Sequence, residues 1–247
     1  MDTFASNNLN VQNESKWEDL HKRSSLEETR TTPSYAICRI VSERNSIMTG
    51  NDAAKMHVLE IGCGFGRNLL YLVENEFAGE YTGIDQTEIA IKQSSLTLQK
   101  FILSEKIHIM KANAGGDIPF EDETFDCIFD IMSAITFIPE EGARKKYFNN
   151  VERLLKPGGA YFFLSVRKEG EVNDKISDPS LGDESLFKRK FDSMIEKSYS
   201  SDELKNYLSS LNLRILDVTS EHIRAFGDEI FDRKNGFWFG CFTKAQS

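Results

Sequence analysis

The stretch Val58-Leu59-Glu60-Ile61-Gly62-Cys63-Gly64-Phe65-Gly66-Arg67 decides the fold. A short β-rich run beginning at His57 ends at three glycines spaced by two. Arg67-Asn-Leu-Leu-Tyr-Leu-Val73 follows with the apolar spacing of a helix. Strand, glycine turn and helix in that order let the backbone turn sharply, let a ligand approach closely, and point the first N–H groups of the helix at it. A glycine turn alone is a weak signal. It gains weight from Asp85, nineteen positions after Gly66, which closes the next β-rich run Glu80–Asp85 where a ribose diol would lie.

Outward from this unit the alternation continues. A helix is predicted from Glu88 to Phe101, strands at Ile107–Lys111 and Phe125–Asp130, a helix from Glu140 to Leu155, and an almost wholly apolar strand at Ala160–Val166. Lys156-Pro-Gly-Gly159 stops the second helix. The spacing predicts a single α/β domain. Its doubly wound, mostly parallel seven-stranded sheet has helices on both faces, and Leu213–Thr219 and Phe237–Thr243 supply the last two strands. Residues 1–16 read as a flexible polar tail, 17–50 as a helical cap broken near Thr31–Ser34, and 168–200 as a lid-like insertion after strand five. A helix with Ser201 as its N-cap follows.

These motifs resemble those of the class I S-adenosylmethionine (SAM)-dependent methyltransferases. Glu60 with the three glycines is similar to their (D/E)xGxGxG motif, and Asp85 to the acidic ribose ligand that ends their second strand. Asp117-Ile-Pro-Phe-Glu-Asp-Glu-Thr-Phe-Asp126 looks like their approach to strand four, and Leu154-Leu-Lys-Pro-Gly-Gly159 like their turn before strand five. Within the family, Gly66-Arg-Asn-Leu-Leu-Tyr-Leu72 resembles the tellurite-resistance and related small-molecule (type 11) enzymes. The resemblance implies SAM as cofactor and S-adenosylhomocysteine as product. It implies that Glu60 orients the loop and the methionine end, that Asn113 stands where the family often has an adenine-binding Asp, and that the N-terminal helices cover the cofactor. The candidate cofactor-binding residues are Glu60, Gly62, Cys63, Gly64, Gly66, Arg67, Asn68, Asp85, Gln86, Asn113, Ala114, Asp130 and Ile131. Asp130 would face the reactive end of the cofactor or else hold a backbone amide. No residue is identified as catalytic, and a base is needed only if the acceptor arrives protonated.

Composition bounds the rest. The chain has 247 residues with 30 basic and 39 acidic side chains, a net charge of −9, which disfavours a nucleic-acid partner. The four cysteines form no CxxC pair, there is no HExxH, and no metal site is predicted. No basic start precedes an apolar block, and no apolar run reaches the roughly 20 residues of a membrane helix. The expectation is a cytoplasmic protein with reduced cysteines and a small-molecule substrate; the sequence does not give the oligomeric state. Trp17, His21 and Tyr35 read as packing, Lys188-Arg-Lys190 as a solvated face, and Phe237-Trp-Phe239 as a buried strand. His222, near Arg224, is a weak candidate base. Other readings are a protein or RNA methyltransferase, a non-catalytic SAM-binding regulatory module, and a nicotinamide-dependent dehydrogenase. Against the last, Arg67 stands where a GxGxxG fingerprint needs its final glycine.

Overall fold

The computed structural model describes residues 8–23, 32–44, 52–218, 223–226, 229–231 and 233–246. The expectation for His222, and segments 24–31 and 45–50 of the expected helical cap, lie outside these residues. Five parallel strands come first: β1 (His57–Ile61), β2 (Glu80–Asp85), β3 (Ile107–Lys111), β4 (Phe125–Ile131) and β5 (Leu155–Arg167). They lie in the order β3-β2-β1-β4-β5, so the chain direction across the sheet reverses between β1 and β4. In such sheets ligands bind outside the carboxyl ends of the strands at that reversal.

β12 (Phe237–Thr243) runs antiparallel between β5 and β9 (Asn212–Val218). These seven strands follow the expected order. The sheet has ten strands, however, because the insertion adds three more. β4 makes its last pair with β5 at Ile131↔Leu164, and β12 covers the other edge of β5 along Ala160–Val166. β8 (Ile195–Tyr199) takes the edge that β4 leaves, pairing Val166↔Ser198 and Arg167↔Tyr199. β7 (Leu186–Arg189) and β6 (Lys175–Ile176) follow outward, and β10 (Ile223–Phe226) pairs with β11 (Glu229–Phe231) separately.

Helices cover both faces. α2 (Tyr35–Ser42) and α3 (Arg67–Glu74) pack Ile37, Ile40, Leu69 and Leu72 on one side. α7 (Glu141–Leu154) and α8 (Ser201–Tyr207) pack Phe148, Val151, Leu154 and Leu204 on the other. Between them lie α4 (Glu88–Thr97), α5 (Gln99–Leu103) and the short α6 (Ala134–Phe137). The helix predicted over 88–101 is thus two, broken at Leu98. β5 starts at Leu155, with 156–159 absorbed in a bulge where Gly158 takes φ 75°. α8 is capped by Ser200, one residue earlier than expected, in a reciprocal capping box with Glu203.

Residues 9–16 correct the expectation of a tail. They are the first turns of α1 (Leu9–Arg23). The segment is polar because its polar groups are used. Asn13 is 1% exposed, and its amide donates to the Phe137 and Ile195 carbonyls while its oxygen accepts from Ile195 N. Leu9 N donates to Glu140 Oε1, and Glu140 N donates to Asn10 Oδ1. α1 therefore crosses the carboxyl ends of the strands as a strap. Among the described residues no helix is long and apolar enough to cross a membrane.

Candidate functional site

A cavity of about 220 Å³ opens at the reversal between β1 and β4. Its floor is the loop after β1. Gly62 N and Cys63 N donate to Ile84 O at 2.8 and 2.9 Å, tying the loop to β2. Gly62 and Gly64 hold φ of 70° and 52°, which side chains resist. Their surroundings differ. A Cβ on Gly62 would stand 1.5 Å from Ser133 Oγ, whereas one on Gly64 meets nothing within 4 Å and would project into open space.

Glu60 lies on β1 beside this loop, 2% exposed. Asn68 donates to its Oε1 at 2.8 Å, and Asn68 Oδ1 accepts from Ser34 N at 2.9 Å. Glu60 Oε2 is buried and has no hydrogen-bond partner among the described residues. Burial pushes the Glu60 carboxyl up to about 8, against the pull of Asn68 and of nearby Arg67. An unsatisfied buried carboxylate oxygen costs free energy unless something cationic or donating meets it. At the end of β2, Asp85 accepts from Gly64 N at 3.1 Å and from Thr87 N and Oγ1 at 2.9 and 3.0 Å. Gln86, Asn113 and Ala114 line the cavity beyond it. Asn113 Oδ1 accepts from Gly115 N at 2.9 Å and shapes its own turn. Arg67 lines the cavity and donates to Thr32 O at 3.3 Å, and Cys63, Asn68 and Ile131 complete this end.

Two expected residues stand elsewhere. Gly66 does not line the cavity. Its φ is 82°, and a Cβ there would lie 2.8 Å from Leu98 Cδ1, so this glycine lets α3 pack closely. Asp130 is fully buried behind the wall. It accepts from Ser133 N, Ile135 N and the Tyr147 hydroxyl at 2.9, 2.8 and 2.7 Å, and burial raises its carboxyl to about 7. It holds the turn after β4, the second of its two expected roles. That turn places Met132, with φ 54°, and Ser133 on the cavity.

The opposite wall contains what the sequence reading passed over. Trp17 and His21, read as packing, lie one turn apart on α1 and line the cavity with Leu20. His21 Nδ1 lies 2.9 Å from Thr87 Oγ1, and its ring lies 5.1 Å from that of Phe65. Burial lowers its basicity, opposed by the charges of Asp85 and Glu18. Tyr35 does pack, 6.1 Å from the Phe239 ring. Arg189, read within a solvated run, is 2% exposed and reaches the cavity together with Phe191. The α1 spacing of Trp17 and His21 was legible; Arg189 and Phe191 carried no local sign.

Known proteins share this fold. Residues 58–159 match the family model described as a methyltransferase domain. Over that segment, less than half of the chain, the protein is similar to methyltransferase domains. The methyltransferase fold extends beyond the matched residues. A SAM-dependent methyltransferase from Methanosarcina mazei superposes with a TM-score of 0.64 at 21% identity, covering 82% of this chain and 98% of that one. In sequence, the chain is 31% identical over 121 residues to the sterol 4-C-methyltransferase strm-1 of Caenorhabditis elegans, covering 48% of this chain and 33% of that protein. It is 25% identical over 210 residues to the O-methyltransferase cnsE of Penicillium expansum, covering 84% and 67%. The chain thus spans between a third and two thirds of the length of these two relatives.

Proposed function

We propose that this protein binds SAM in the cavity described and methylates a small-molecule acceptor. The observation that carries the reading is Glu60 Oε2, buried beside the open Gly64 loop and without a hydrogen-bond partner among the described residues. A cationic, donor-bearing group beside that oxygen would relieve its burial cost, and SAM carries a sulfonium and an ammonium. Asp85 would accept from the ribose hydroxyls, with Gly64 N and Thr87 already fixing its carboxylate in place. Asn113 and Ala114 would border the adenine. When bound, SAM supplies a methyl group on a positively charged sulfur that is a ready leaving group.

The side chains do the remaining work of orientation and water exclusion. Orientation alone can supply about 7–11 kcal/mol of a barrier when the bound geometry approaches attack. The strap α1 lays Trp17, Leu20 and His21 over the cavity, and the turn held by Asp130 closes the far side. A site roofed in this way supports a small acceptor rather than a polymer. The sterol named for one relative is of that size class.

Calorimetric titration with SAM, S-adenosylhomocysteine and NAD tests the cofactor. Micromolar binding of the first two, with silence for NAD, is the expected result. Binding of NAD alone overturns the reading.

A further inference from the structure

Five residues that line the cavity come from outside the matched segment 58–159: Trp17, Leu20 and His21 before it, Arg189 and Phe191 after it. Four aromatic or cationic groups form one continuous wall. The Trp17 and Phe137 rings meet edge to face at 4.9 Å and 88°. The Arg189 guanidinium carbon then lies 5.2 Å from the Phe137 centroid and 4.6 Å from that of Phe191. The guanidinium is therefore held between two rings, an arrangement that favours Arg over Lys.

The charge on this wall is already answered. Asp192 takes Arg189 through both carboxylate oxygens, Nε–Oδ1 at 3.0 Å with Nη2 on Oδ2. Glu196 Oε1 lies 3.6 Å from Nη1. Arg233 shares Glu196 at 2.7 Å and pairs with Asp174 at 2.6 and 2.8 Å. Arg189 thus has two carboxylates and 2% exposure, and it offers no spare charge to an anionic ligand. Phe191 is the reverse case. It lines the cavity yet is 60% exposed, a flat apolar ring at the mouth. Exposed aromatic surface beside a cavity is suited to another ring, which gains offset or edge-to-face contact besides apolar burial.

We infer that the wall built by Trp17, Phe137, Arg189 and Phe191 is the acceptor subsite, and that it takes an uncharged aromatic molecule, stacked against Phe191 and excluded if it carries a carboxylate. This rests on the reading of the opposite end of the cavity as the SAM site. The ion network from Asp174 to Asp192 positions the wall. It fixes Arg189, and Arg189 fixes the faces of the two phenylalanines.

Two probes built on the same naphthalene ring decide the point. 2-Naphthol is uncharged at neutral pH, whereas 2-naphthoate is an anion. Each is titrated by calorimetry into the full-length protein saturated with S-adenosylhomocysteine. The expected result is binding of 2-naphthol at least tenfold tighter than 2-naphthoate. Phe191→Ala should weaken 2-naphthol about tenfold while leaving S-adenosylhomocysteine affinity unchanged; Phe191 is exposed enough for the variant to fold. Equal or tighter binding of 2-naphthoate overturns the inference, as does unchanged 2-naphthol binding in Phe191→Ala. The same titrations without S-adenosylhomocysteine decide the subsite even where that molecule fails to bind, a failure that tells against the cofactor reading instead.

Discussion

Asn68 and Glu60 face each other across the start of α3, with the amide donating to Glu60 Oε1 at 2.8 Å and leaving Oε2 to the cavity. The pair makes the cavity a proton-linked site. Burial lifts the folded-state carboxyl to about 8 from its ordinary 4.5, so folding favours the protonated form. The sign follows: this contribution to stability is complete below pH 4.5 and is lost as pH rises toward 8. A cation in the cavity favours the ionised form. SAM binding at pH 7 should therefore expel a proton, and affinity should climb with pH up to about 8. Calorimetry in two buffers of different ionisation enthalpy measures the release, and Glu60→Gln should abolish it. Binding heats that do not depend on the buffer would sink the idea.

Gly64 and Gly66 share a left-handed backbone and differ in what surrounds them. Gly64→Val should fold, at a cost of about 1–2 kcal/mol for the backbone, and should lose S-adenosylhomocysteine binding because the side chain enters the open space. Gly66→Ala should lower the unfolding midpoint more, through the contact with Leu98, and leave binding near native where folded. Thermal unfolding and calorimetry on the two variants give the comparison; the reverse pattern would exchange their roles.

Asp85 and Asp130 separate in the same way. Asp85→Ala should weaken SAM at least several-fold. Asp130→Ala strips the acceptor from two backbone amides and a buried hydroxyl, and should cost about 3 kcal/mol of stability. Its conservative partner Asp130→Asn should bind S-adenosylhomocysteine within a few-fold of the native protein. A loss of binding in Asp130→Asn that matched Asp85→Ala would return Asp130 to the site.

Asn13→Ala should release the strap. It leaves Ile195 N and O unpaired in a buried place, a penalty of about 2 kcal/mol. Because Trp17 and His21 ride on the same helix, S-adenosylhomocysteine should bind more weakly as well. Urea unfolding and calorimetry together check this, and native affinity with lowered stability would show that α1 does not cover the cofactor.

Seven strands of the sheet were legible because they are apolar runs punctuated by glycine and proline, while the three in the insertion were not, and the motif end of the cavity was legible because glycines, Glu60 and Asp85 occur at fixed spacing. The strap was not, since Asn10 and Asn13 look like tail residues until their distant partners are known. Asp130 sits at the end of a strand, where a site carboxylate also sits; only its three donors distinguish it. Arg189 lies between two lysines, and its burial depends on Asp192, Glu196 and two rings that no local pattern joins.

Asn13 meets Ile195 across 182 residues of chain. On a ribosome adding 5–20 residues per second, roughly 10–40 s separate the two. The strap is made early and must wait. The floor of the cavity, complete once β4 and β5 have emerged, stands open to solvent for the last 28 residues of that interval (195 − 167), and the roof closes last. A cofactor has a wider path to the glycine loop while the protein is still being made than after α1 has docked.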